Sequence, residues 1–226
     1  MTDVPSPRGP RWWRWLGVLL ARVVWGTRVS GRDNVPRSGP VLLAANHTGV
    51  IDGPILVGAA PRPTHVLVKE EMFHGPLGLL LRSAGQIPVD REGGRGALTA
   101  ALGVLRRGGV VGIFPEGNRG KGDASGARAG IAWLALNGHA PVVPVAVLGT
   151  RRTGESVGHV PGARRRLAVV FGPPVSIERR PGATGREALA EANERIREAL
   201  AATVADAVAT TGLALPADDP NRTVDA

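Results

Sequence analysis

Five short, largely apolar runs punctuate the chain, at residues 41–45, 65–68, 110–114, 142–147 and 167–171. None alternates apolar with polar residues as a strand wetted on one face would, so each predicts a strand buried on both faces. Between the runs, residues 76–83, 95–107 and 127–137 carry apolar side chains at helical spacing with a glycine near one end, and these predict helices. This β-α-β succession predicts an α/β fold: a single domain with a mostly parallel or mixed sheet flanked by helices. Ligands of such folds gather outside the carboxyl ends of the strands. Pro144 sits inside the fourth run, and because proline cannot donate to a ladder it predicts an edge strand or a strand end.

The ends of the chain read differently from its middle. In residues 11–25, tryptophans and arginines bracket an apolar stretch over residues 16–21, far shorter than the ~20 residues a membrane span needs, and Arg22 stops its extension. An aromatic body with a cationic tip suits the headgroup layer, so an interfacial helix is one reading; a first helix packed on the domain is the other. A secretory signal is poorly supported, since the apolar stretch is short and no Ala-x-Ala site closely follows it. Residues 187–208 form an amphipathic helix with Leu189, Ile196, Leu200 and Val204 on one stripe, while the polar stretch from Pro216 predicts disorder. The expected division is an interface helix over residues 1–30, a catalytic domain over 31–213 and a tail over 214–226.

Charge narrows the partners. Lys+Arg total 28 against 19 for Asp+Glu, a net charge of +9 that favours phosphates, anionic lipid surfaces or nucleic acid without choosing among them. The few aromatics outside the first segment, and the lack of a stacking motif, speak against nucleic acid. With no cysteine there is no disulfide and no thiolate nucleophile, and the five histidines show no paired ligand spacing, so no metal is expected. The chain fits a reducing compartment.

The chemistry-bearing residues follow the buried runs. Asn46 to Gly53 comes directly after the first, placing His47 and Asp52, five residues apart, in a loop at that strand's carboxyl end. An Asp accepting from His Nδ1–H fixes the tautomer and frees Nε2 to take a proton. No G-x-S-x-G elbow is present, so the base acts on a substrate hydroxyl in this reading, which points to transfer. The third run ends in Phe114-Pro115 and then delivers Glu116, Gly117, Asn118 and Arg119. Arg119 supplies a fork for phosphate, Glu116 accepts from a substrate hydroxyl or holds an arginine, and Gly117 lets the backbone approach a ligand. Arg91, past a short strand near residue 87, is the second arginine that a dianionic phosphate calls for.

Taken in order, the stretches around His47, Arg91, Glu116 and Pro144 resemble the 1-acylglycerol-3-phosphate acyltransferases of the glycerophospholipid acyltransferase family, which carry NHxSxxD, G-x-x-x-x-x-R, FPEGTRS and V-x-P-V blocks. Gly49 stands where that family usually has Ser, and Asn118 and Gly120 replace the Thr and Ser around the motif arginine. The resemblance implies that His47 and Asp52 form the catalytic pair, and that Arg91 with Glu116, Gly117, Asn118 and Arg119 binds the acceptor's phosphate and glycerol. It implies transfer of an acyl group from acyl-CoA or acyl carrier protein, as co-substrate with no cofactor, to a lysophospholipid such as 1-acylglycerol-3-phosphate. The expected setting is an anionic membrane surface on the cytoplasmic face. Two other readings stay open: a thioesterase or lysolipid hydrolase using the same pair, and a non-enzymatic basic module.

Overall fold

All five apolar runs become strands of one sheet. The computed structural model describes residues 4–90, 94–117, 121–122 and 130–218. Its strands are β1 (Arg28–Ser30), β2 (Val41–Ala45), β3 (Thr64–Lys69), β4 (Ile87–Val89), β5 (Val110–Ile113), β6 (Val142–Leu148) and β7 (Ala168–Phe171). They lie in the order β1-β7-β6-β2-β5-β3-β4. The strands from β6 to β4 are mutually parallel, β7 runs antiparallel to β6, and β1 is parallel to β7. The sheet is therefore mixed but mostly parallel, and β2, β3, β4, β5 and β6 all end on the same edge.

Helices cover both faces, which is why the strands carry no polar alternation. The helices are α1 (Arg8–Val18), α2 (Asp52–Ala59), α3 (Gly75–Ser83), α4 (Arg95–Arg106), α5 (Gly130–Gly138) and α6 (Gly185–Thr211). Alternation along β2 divides the core. Leu42 and Ala44 pack with α4, α5 and α6, whereas Val41, Leu43 and Ala45 pack with Ile55 and Leu56 of α2 and with Ala21 and Trp25.

Helix α1 runs on through a π-helical turn, Leu19–Val24. It lies on α2 so closely that a Cβ on Gly58 would stand 2.1 Å from Gly17 O, a crossing open only to glycine. The opposite face of the same helix stays bare. Trp12, Trp15 and Val23 are 78%, 68% and 71% exposed, and Leu16 and Leu19 complete the stripe. So the helix both packs on the body and presents an apolar face to the outside. Strand β1, at residues 28–30, already belongs to the sheet, and the body begins before residue 31.

Three expectations require correction. Asp52 is not a loop residue: it opens α2. Pro144 lies in β6, between β7 and β2, rather than on an edge. Its missing N–H faces β7, where the pairing slips by one residue between Val145↔Phe171 and Val142↔Val175, so the irregularity absorbs the lost donor. Part of the expected tail is held to the body: Leu215 packs on the cluster under α6, Pro216 is buried, and Asp218 pairs with Arg151 at 2.8 Å.

One buried histidine has a fixed protonation state. His65 Nδ1 lies 2.6 Å from Gly85 O, which can only accept, and Arg107 Nη2 lies 2.9 Å from its Nε2, which must accept. The ring is therefore the neutral Nδ1–H tautomer, and burial pushes its pKa below the ordinary 6.5. A depressed histidine pKa means that the unfolded chain binds the extra proton first. Its stabilising contribution is complete above about pH 6.5 and is lost as pH falls toward the folded value, at up to about 1.4 kcal/mol per pH unit. Melting temperatures measured between pH 7.5 and pH 5 are expected to fall, and to fall less in His65→Gln; equal slopes in the two proteins contradict this assignment.

Candidate active site

Of the residues singled out for chemistry, His47, Asp52, Glu116 and Gly117 lie on the edge where the parallel strands end. Strand β2 delivers Asn46, His47 and Thr48, while β5, its neighbour, delivers the turn from Phe114 to Gly117. That turn closes with Gly117 N donating to Phe114 O at 3.0 Å, and Gly117 has a φ of 69°, a conformation that favours glycine. Lys69 ends β3 on the same edge. Arg91, Asn118 and Arg119 lie outside the described residues.

Asp52 organises the loop that precedes it. Its Oδ2 accepts from His47 Nδ1 at 2.8 Å, from Thr48 N–H at 2.7 Å and from Gly49 N–H at 2.8 Å. The carboxylate is fully buried, whereas the His47 side chain retains 14% exposure. Because a carboxylate at this position can only accept, Nδ1 carries a proton, and the lone pair of a neutral ring falls on Nε2. Asp52 is also the first residue of α2, where the positive end of the helix dipole favours a negative charge. The loop curls back because its own N–H groups and the histidine ring share a single oxygen.

Neighbouring residues hold the imidazole in place. Phe114 stacks on it with ring centroids 4.2 Å apart and 22° between planes. The Asn46 side chain extends the β2–β6 ladder by one rung, accepting from Val147 N–H at 2.7 Å and donating to Val147 O at 3.2 Å. Thr48 and Thr150 join hydroxyls at 2.9 Å, and Val50 N–H donates to Val157 O. A Cβ at Gly122 would stand 2.5 Å from Thr48 Cγ2 and 2.9 Å from Asn46 Nδ2, so Gly122 approaches this segment more closely than a side chain would allow. By contrast, a Cβ at Gly49 would meet only ordinary contacts, the nearest at 3.5 Å, and a serine there fits the space.

The connection between β6 and β7 forms a further wall of the site. Arg151 is buried and donates to Glu155 O and to both the carboxylate and the carbonyl of Asp218. Hydrogen bonding from Arg151 holds the Asp218 carboxyl below its usual range. In the same way, two bonds from Arg165 draw Glu155 down to about 2. Sequence reasoning missed Phe114, Asn46, Thr150 and Arg151 as parts of the site. Thr150 and Arg151 follow a buried strand and were within reach of the strand-end rule, but the partnership with Asp218 has no local signature.

Among the described residues no group of acidic or histidine side chains is placed to hold a metal ion. A residue 26–148 match to the Acyltransferase family model takes in His47, Asp52 and the turn from Phe114 to Gly117. A 1-acyl-sn-glycerol-3-phosphate acyltransferase of Bacillus subtilis is 31% identical over 180 residues, covering 76% of this chain and 87% of that protein.

The chain belongs to the acyltransferase family.

The human 1-acyl-sn-glycerol-3-phosphate acyltransferase beta is also 31% identical to this acyltransferase, over 129 residues that make up 54% of the chain and 46% of the human protein. The crystal structure of the 1-acyl-sn-glycerophosphate (LPA) acyltransferase PlsC from Thermotoga maritima has the same fold. It aligns with a TM-score of 0.62 at 21% identity, covering 86% of this acyltransferase and 78% of that chain.

Proposed function

We propose that this acyltransferase moves a fatty acyl group from an acyl thioester to the free hydroxyl of a lysophospholipid, with 1-acylglycerol-3-phosphate as acceptor and phosphatidate as product. One observation carries the reading: His47 presents an unpaired Nε2 beside a buried Asp52, yet among the described residues no side-chain hydroxyl bonds to it, and the chain has no cysteine. A base without an enzyme nucleophile takes its proton from the substrate. The names of the Bacillus and human relatives support the acceptor.

In this mechanism Nε2 removes the proton of the acceptor hydroxyl and Asp52 stabilises the imidazolium that results. The alkoxide oxygen attacks the thioester carbonyl, a C–O bond forms, the C–S bond breaks, and the imidazolium returns its proton to the leaving thiolate. The N–H groups of Thr48 and Gly49 are engaged by Asp52, so donors for the tetrahedral oxyanion come from elsewhere on the edge. Arg91 and Arg119, with Glu116, Gly117 and Asn118, are assigned to the phosphate and glycerol of the acceptor, which matches guanidinium forks to a dianion. Acyl-CoA or acyl carrier protein serves as donor.

The exposed stripe through Trp12, Trp15, Leu16, Leu19 and Val23 supports work at a bilayer surface, for which the cytoplasmic face is assigned. Among the described residues no helix is long and apolar enough to cross a membrane. The test offers the purified protein acyl-CoA or acyl carrier protein with a panel of lysophospholipids and unphosphorylated monoacylglycerol, with products identified by mass spectrometry. Phosphatidate is expected, and Arg119→Ala is expected to weaken phosphorylated acceptors by about 10-fold or more relative to monoacylglycerol. Release of free fatty acid in place of an ester overturns the transfer reading.

A further inference from the structure

Where α1 crosses α2, three arginines converge without an acidic partner. Arg14 and Arg32 donate from Nε to Ala60 O at 3.2 Å and to Ala59 O at 3.0 Å, carbonyls at the carboxyl end of α2. Those bonds account for one nitrogen of each fork. Arg32 Nη2 is buried and has no hydrogen-bond partner. Arg22 comes from the π-helical turn, a distortion that recurs at functional sites. Burial, followed by the charges of Arg22 and Arg14, holds the Arg32 guanidinium below its ordinary range, which marks the three as electrostatic neighbours. Asp33 shares the short turn Arg32–Asn34 with Arg32 but is exposed, and among the described residues no carboxylate lies within ion-pair distance of any of the three.

A second group borders the same place. Thr27 is 9% exposed and its Oγ1 has no partner. Arg22, Gly26, Thr27, Val29 and Arg32 line an open pocket of about 380 Å³. A buried hydroxyl and a buried guanidinium nitrogen left without partners are costly unless something outside the chain satisfies them. The cations select an anion, and a planar fork beside a hydroxyl matches tetrahedral phosphate oxygens.

We infer that this pocket binds a phosphate-ester oxyanion, at a site separate from the His47 edge. A lipid headgroup and a soluble phosphate share that chemistry. Arg22 adjoins Val23 of the exposed stripe, so a headgroup reaches the pocket when the helix lies in the bilayer surface; this source rests on the interfacial reading above, whereas the soluble one does not.

The experiment has two arms, each using the full chain, with Arg22→Gln, Arg32→Gln and Thr27→Val compared against Arg37→Gln, an exposed arginine elsewhere that removes the same charge. In the first, inorganic phosphate is titrated while the Nε–H resonances of Arg22 and Arg32 are followed. In the second, binding is measured to vesicles of phosphatidylcholine alone and of phosphatidylcholine with phosphatidylglycerol. The pocket variants are expected to lose about tenfold or more in affinity relative to Arg37→Gln. Loss confined to the phosphate arm identifies a soluble ligand, and loss confined to the vesicle arm identifies a headgroup. Pocket variants that match Arg37→Gln in both arms overturn the site. Should the wild type ignore every vesicle, the interfacial reading fails and the phosphate arm alone decides. Thr27→Val changes neither charge nor shape, so it keeps the test open if the arginine variants fold poorly.

Discussion

Replacing His47 with alanine is expected to remove acyl transfer, lowering kcat by about 10³-fold or more, while the protein stays folded. The imidazole has a partly exposed position, one hydrogen bond and one stacked neighbour, so its loss leaves Asp52 still accepting from Thr48 N–H and Gly49 N–H. The change in stability should be no more than about 1 kcal/mol. Steady-state kinetics with acyl-CoA and lysophosphatidate, run beside a denaturant titration, checks both parts. Wild-type-like kcat in the variant rules out His47 as the base.

Substitution of Asp52 should have the second largest effect, and its character differs. In Asp52→Asn the amide has one oxygen for Thr48 and Gly49 and an N–H₂ that suits a lone pair on Nδ1. That arrangement favours the tautomer with its proton on Nε2, which cannot act as a base. A loss of about 10³ to 10⁴ in kcat is expected, the order seen when a triad carboxylate is neutralised. Asp52→Ala adds a structural penalty, because two buried N–H groups lose their acceptor and α2 loses the charge at its first residue. About 2–5 kcal/mol is expected from those terms together. The double variant His47→Ala/Asp52→Ala should be no slower than His47→Ala alone, since groups acting as one unit are not additive. Additive losses in kcat would show that the two act separately.

The three bonds to Asp52 Oδ2, two of them from main-chain N–H groups, tie the site to the backbone. Asp52 does more than orient a ring: it gathers three donors onto one oxygen and so decides where the loop after β2 goes. The neighbours extend that control. Asn46 ties the strand end to Val147, Thr48 is clamped by Thr150, and Arg151 anchors the adjoining wall through Asp218. His47 is therefore held from β2, β5 and β6 at once.

Much of this was legible without coordinates because apolar patterning is local. The five runs became strands since nothing in them could be left wet, and the long amphipathic stripe through Leu189, Ile196, Leu200 and Val204 became α6. The rule that parallel strands present their carboxyl ends to ligands predicted one edge for His47, Asp52, Glu116 and Gly117, and the structure has all four there. Pro144 was misplaced because composition does not show which side of a strand lacks a partner. Only the pairing with β7, slipped by one residue, makes room for a proline in an interior strand.

The sequence by itself determined the fold class, the pairing of His47 with Asp52 across five residues, and the absence of a cysteine nucleophile, because these depend on residue type and short spacing. Tertiary structure alone decided what lies 60 to 140 residues away in the chain yet within hydrogen-bond or ring-contact distance. Phe114 over His47, Thr150 against Thr48, Asp218 on Arg151, and the arginines gathered around Thr27 all depend on strand order and helix crossing. Those follow from how the whole chain buries its apolar surface, and no local stretch encodes them.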